Sequence, residues 1–159
     1  MTTNSIAIGV AYKDQEIVSG SVDDTPIGAT TPSTGAFTSI TGTSLSATTV
    51  TASGNLVVKV STVAATGSSN TDAAALSGGF NVVSAADGTK GVILAAPVAG
   101  TVVIVKNTVA AILKIYPNSG AAINGLTATT GSYNIAASTS TILVAQSATQ
   151  WYSIPLLAS

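Results

Sequence analysis

A chain of 159 residues has room for one ordinary domain, or for a smaller domain carrying an extended arm. Only 7% of its residues are charged, five Lys against six acids for a net charge of −1, and His, Cys and Arg do not occur. That composition excludes disulfides, thiolate or imidazole metal sites and any basic run able to neutralise a row of phosphates, so neither direct nucleic-acid binding nor attachment to an anionic membrane is expected.

The N-terminal residues Met1 to Ser5 lack a positive region ahead of an apolar core, so no secretion signal is expected. Ile6, Ile8 and Val10 alternate with small residues and predict one short strand, followed by the polar turn Tyr12 to Glu16. From Ser19 to Gly54 the chain turns to Ser, Thr, Gly, Pro and Ala, with single apolar residues spaced too widely for a continuous buried face. Asp23-Asp24-Thr25-Pro26-Ile27-Gly28 and Thr31-Pro32-Ser33-Thr34-Gly35 are turn chemistry, because Pro fixes φ and Gly permits positive φ. Residues 1–54 thus read as an extended arm. Such a segment cannot order itself on its few apolar side chains, since fixing each residue costs about 1 to 2 kcal/mol of backbone entropy; its composition reads either as a disordered tether or as an arm held by a surface outside it.

From Asn55 the pattern tightens. Leu56 to Val60 predicts a strand, then comes a Ser/Thr/Gly loop. Thr71 to Leu76, with Thr71 as a candidate N-cap and Gly78-Gly79 as a stop, reads equally as one helical turn or an ordered loop. Phe80 to Val83 and Gly91 to Leu94 flank a turn on Asp87-Gly88. The run Val92 to Val105 is apolar, but Pro97, Gly100 and Thr101 interrupt it and it is shorter than the roughly 18 to 20 residues of a spanning helix.

Thr101 to Lys106 and Ile112 to Tyr116 are β-branched runs whose short connector, Asn107 to Ala111, predicts a hairpin. Both are apolar at successive positions, which predicts burial on both sides. Pro117 to Gly120 and Asn124-Gly125 read as tight turns, Tyr133 to Ala136, Thr141 to Ala145 and Trp151 to Ile154 as strands. From Ile115 to the end no residue is charged. Short strands at intervals of about eight to twelve residues predict, over 55–159, an antiparallel β-sandwich or β-barrel of jelly-roll or tulip-like kind; no repeat of 20 to 50 residues is legible.

Chemistry has few places to reside. The acid pairs Asp14/Glu16 and Asp23/Asp24 read as a solvated face and a turn, and no Ser-Lys signature, carboxylate loop or Gly-rich phosphate cradle occurs. No enzyme activity, catalytic residue, metal or cofactor is expected. Trp151 and Tyr152 are better suited to a core or interface than to stacking on a ligand; with Tyr116 and Tyr133 they are the aromatics expected in the core or at a trimer interface.

The segment Thr25-Pro26-Ile27-Gly28-Ala29-Thr30-Thr31-Pro32-Ser33-Thr34-Gly35-Ala36-Phe37-Thr38-Ser39-Ile40 resembles one that recurs in tailed-bacteriophage virion proteins, among them tail fibres and capsid decoration (cement) proteins. Ile115-Tyr116-Pro117-Asn118-Ser119-Gly120 to Asn124-Gly125, with Gln150-Trp151-Tyr152, resembles the β-rich ending of similar phage structural proteins. The resemblance implies a non-enzymatic virion component, often trimeric, with an arm and a β-domain. Only about 120 residues follow Ile40, which fits a decoration protein better than a fibre with its long shaft. The expectation is a homotrimer, made in the host cytoplasm and placed on the outer capsid surface, whose arm residues Ile27, Phe37, Ile40 and Leu45 contact the major capsid protein. The alternative is a tail- or head-fibre module that binds a receptor or glycan, with Trp151 and Tyr152 as stacking platforms.

Overall fold

The computed structural model describes residues 39–42, 45–47 and 49–156. The strand expected at Ile6 to Val10, the acid pairs at 14/16 and 23/24, the Pro/Gly turns and most of the arm lie outside the described residues. The chain divides into two units at Val50–Thr51, and every strand named below belongs to the second.

Among the described residues the fold is all-β, with ten strands and no helix: β1 (Val60–Ala64), β2 (Ala74–Ala75), β3 (Phe80–Ala85), β4 (Gly91–Ile93), β5 (Val102–Asn107), β6 (Leu113–Tyr116), β7 (Ala122–Ile123), β8 (Tyr133–Ile135), β9 (Ser140–Ala145) and β10 (Gln150–Leu156). The strongest strands are built from Val, Ile and Thr, whose branched side chains are stiff at χ1 and suit a pleated surface.

The strands form two mixed sheets, one of six in the order β1-β3-β5-β9-β10-β7 and one of four in the order β2-β4-β6-β8. This corrects the expected antiparallel arrangement. Over β1 to β6 the chain passes back and forth between the sheets, so each strand pairs in parallel with the strand two places on. Parallel neighbours need a crossover of a dozen or more residues, and here the crossover is the intervening strand of the other sheet. The expected β5–β6 hairpin is therefore absent: the two runs lie in different sheets, as do those flanking the Asp87-Gly88 turn. Val60, Phe80 and Ile104 are successive partners in one sheet, and Ala74, Val92 and Ile115 in the other. The path is a coil with uneven turns, which explains why no sequence repeat announces it.

Between strands, antiparallel pairing involves the C-terminal part, where β9 pairs with both β5 and β10 and β8 with β6; a single antiparallel bridge joins Thr66 to Gly91. Thr71 to Leu76 is not helical; the chain turns there and enters β2. At Asn124-Gly125 both residues have positive φ (53° and 78°), and the Leu126 amide donates to the Ile123 carbonyl at 2.9 Å, closing a tight turn that these two residue types permit.

Both sheets feed one hydrophobic cluster. Val83, Val105, Leu143 and Trp151 come from the six-stranded sheet, and Val92, Leu113, Ile115 and Ile135 from the four-stranded one. Two buried Asn side chains sit at this level and satisfy backbone groups. Asn81 donates to the Gly78 carbonyl at 2.8 Å and accepts from the Gly78 amide at 3.1 Å. Asn107 donates to the carbonyls of Ala111 (2.8 Å) and Ala136 (3.0 Å) and accepts from the Val109 amide at 3.0 Å. Asn107 thus pins the β5–β6 crossover to the loop after β8, where a hairpin ladder would have served in the expected arrangement.

Candidate interaction surface

The acids of the described domain are engaged in holding their own loops. Asp72 Oδ1 accepts from the amides of Ser68 (3.1 Å) and Ser69 (2.8 Å) and from the Ser69 hydroxyl (2.6 Å). The Ser69 hydroxyl, then its amide, hold the Asp72 carboxyl below the usual carboxylate range. Asp87 Oδ1 accepts from the Thr89 hydroxyl (2.6 Å) and the amides of Thr89 (2.9 Å) and Lys90 (3.0 Å). The Thr89 hydroxyl leads in lowering its pKa to about 2. The Lys90–Asp87 pair, at 3.8 Å and exposed, adds little. A carboxylate this well satisfied is a poor proton acceptor at neutral pH. Among the described residues no three His, Cys, Asp or Glu gather where they could hold a metal ion.

One pocket lies between β8 and the ends of β9 and β10, walled by Tyr133, Ile135, Thr139 and Pro155. Its volume of about 230 Å³ falls below the roughly 300 Å³ at which small-molecule sites begin, and no charged residue lines it. No helix among the described residues is long and apolar enough to cross a membrane.

The aromatics singled out from the sequence are dispersed. Trp151 is 1% exposed, packed in the core, and its Nε1–H meets no acceptor, so it presents no face on which a sugar could stack. Tyr133 is half-buried against the same core. Tyr116 is buried on the outward side of β6, its hydroxyl donating to the Ser68 carbonyl. Tyr152 is 51% exposed on the outward side of β10. Of the residues expected to touch a capsid, Ile27 and Phe37 lie outside the described residues, while Ile40 and Leu45 are exposed at 66% and 65%.

What the residue-by-residue reading missed is a surface. On the outward side of the six-stranded sheet, Val60, Phe80, Ile104, Ile142 and Ile154 are cross-strand partners in one row spanning five strands. Val102, Val144 and Tyr152 form the next row. The signal was present in strands apolar at successive positions: such runs are expected to be covered on both sides, and among the described residues the core cluster covers the inward side. The outward side of the four-stranded sheet differs, for there Lys114 and Asn134 are partners.

Comparison with protein-family models, with curated proteins and with solved structures gives no match.

Proposed function

We propose that this chain is a virion structural protein that decorates and stabilises a bacteriophage capsid by binding across neighbouring major capsid subunits. In this reading residues 1–54 are the capsid-contacting arm, and 55–159 form a β-sandwich in which the two sheets pack across their shared core. The protein acts as a homotrimer on the outer capsid surface, without catalytic activity or cofactor. The observation that carries the reading is the segment Thr25 to Ile40, with its resemblance to phage virion proteins. It is supported by a domain whose acids are engaged in their own turns, whose pocket is small, and whose broadest uncovered feature is an apolar sheet face.

The mechanism is burial of area. An arm of some 30 residues laid over capsid subunits, together with a trimer interface, exceeds the roughly 1,000 Å² that a specific interface needs. Ile27, Phe37, Ile40 and Leu45 act as spaced anchors, and the Ser, Thr and Gly between them let the backbone lie flat and hydrogen-bond. A fibre module that binds a glycan is the second reading, favoured only by the exposed ring of Tyr152.

Counting copies per particle separates the two: hundreds, in proportion to the major capsid protein, are expected for a cement, and a handful for a fibre. Adding the protein to heads that lack it, then measuring bound copies and rupture on heating, tests the arm. Phe37→Ala is expected to weaken attachment by about 2 to 4 kcal/mol, the loss of an aromatic anchor from a partner pocket. Failure of the wild-type protein to bind heads would overturn the capsid reading.

A further inference from the structure

The two sheets treat their outward sides differently. A sheet with one side in water alternates apolar inward and polar outward; in the four-stranded sheet Leu113 and Ile135 point inward and Lys114 and Asn134 outward on the same two strands, next to an outward pair of Ile93 and the buried Tyr116. The six-stranded sheet carries the row of Val60, Phe80, Ile104, Ile142 and Ile154 outward instead. Val60 is 63% exposed, and Val102, Tyr152 and Ile154 are each 51% exposed, while Phe80, Ile104 and Ile142 on the inner strands are half-buried among their neighbours. A third outward row, from Thr62 and Val82 to Leu156, is mixed.

Neighbouring strands lie about 4.8 Å apart and same-side residues about 6.7 Å apart, so three rows over five strands make a face of roughly 24 by 20 Å, on the order of 500 Å², in which Thr62, Lys106 and Ser140 are the polar positions of the mixed row. Apolar patches of about 300 to 600 Å² are the largest a typical monomer exposes and often mark a functional surface. Two such faces together remove on the order of 1,000 Å², the size at which a specific interface begins. Leu56 and Val57, exposed at 78% and 88% just before the edge strand β1, add to the apolar surface on that side.

The charge pattern argues for the occupant. Lys106 is the one charged residue on the outward side of these strands, and its Nζ is bonded to the Ser138 carbonyl at 2.7 Å. A face whose single cation sits in its mixed row has little charge with which to select a foreign partner, since discrimination between partners rests largely on complementary charge. It matches another largely apolar sheet face of low charge, and sheets bury such faces by packing about 10 Å apart. Every copy of the chain supplies one.

We infer that the outward face of the six-stranded sheet, centred on Ile104 and Ile142, packs against the same face of other copies of this chain. The inference rests on the self-association proposed above and names its surface: in a trimer each copy turns this face toward the common axis.

The test uses the full chain. Light scattering at micromolar concentration is expected to give an oligomer for the wild-type protein. Ile104→Lys and Ile142→Lys are expected to shift it to the mass of a single chain, at least a tenfold weakening of association, with the β-type circular dichroism spectrum kept. Asn134→Lys, on the outward side of the four-stranded sheet, is expected to leave the mass unchanged. Mixing Ile104→Lys with Ile104→Glu copies is expected to restore association at low salt, which a folding defect would not allow; Ile154→Ser is the milder variant at the exposed end of β10. A monomeric wild-type protein would overturn self-association itself. An oligomeric wild type whose face variants keep their mass would overturn this surface alone, and so would face variants that keep their mass but lose attachment to heads, which would give the face to another protein.

Discussion

Tyr116 is 4% exposed although it stands on the outward side of β6. The reason is Gly91 on the neighbouring strand: a Cβ there would stand 2.6 Å from the Tyr116 ring and 2.8 Å from the Lys114 carbonyl, so the ring lies over the space the glycine leaves. From that position the hydroxyl reaches the Ser68 carbonyl, in the loop that Asp72 ties together, and so fastens the β1–β2 connection to β6. Burial, and then the nearby negative charge of Asp72, push the Tyr116 pKa above its ordinary value of about 10. A raised pKa on a neutral acid means that the fold binds this proton more tightly than the unfolded chain does. Its stabilisation is fully present below the unfolded value of about 10 and is lost as pH rises through the folded value. The urea midpoint is expected to fall above pH 10, and Tyr116→Phe to lower stability at neutral pH while flattening that fall. An unchanged slope in the variant would remove Tyr116 from the account.

At the scale of the strand, alternation decides what each residue does. Leu143 and Ile142 are neighbours on β9, yet Leu143 is fully buried in the core cluster and Ile142 faces outward in the apolar row. Leu143→Ala is expected to cost about 2 to 5 kcal/mol in chemical unfolding, because it removes core contacts and leaves a cavity. Ile142 is half-buried between Ile104 and Ile154, and Ile142→Ala is expected to change the unfolding of the single chain by about 1 kcal/mol at dilutions where copies are apart, and to act on association as well. Equal losses for the two would mean that β9 is buried on both sides within one chain. The runs that became β3, β5 and β9 were legible because Val, Ile and Thr cluster in them, and β6 and β8 because Leu, Ile and Tyr stand between turn residues. Their partners were not. Period-two alternation says which side a residue faces but not which strand lies beside it. The short connector Asn107 to Ala111 suggested a hairpin although the buried amide of Asn107 uses it to cross between sheets. β2 and β7, two residues each, carry no pattern long enough to read. The outward row escaped for a related reason: its five members are far apart in sequence and become neighbours only through the register of a coiled path.

For the whole molecule, the core and the proposed capsid-contacting arm lie in different parts of the chain. Among the described residues, every buried hydrophobic side chain lies between Ala65 and Trp151, and the first strand begins at Val60. Among the described residues, none before Thr51 belongs to that cluster. A chain lacking Met1 to Val50 is therefore expected to unfold cooperatively in urea, with a β-type circular dichroism spectrum and the midpoint of the full-length protein. If the six-stranded sheet is the surface between copies, the truncated protein also keeps its oligomeric mass, since Val60, Ile104 and Ile142 all remain. Attachment to heads is a separate property in this reading, because Ile27, Phe37, Ile40 and Leu45 are all removed. The truncated protein is expected to leave heads bare at concentrations where the full chain saturates them. Loss of cooperative unfolding on truncation would show that the N-terminal residues complete the domain. Wild-type occupancy of heads by the truncated protein would move the capsid contact into the β-domain and leave residues 1–50 without the role proposed for them.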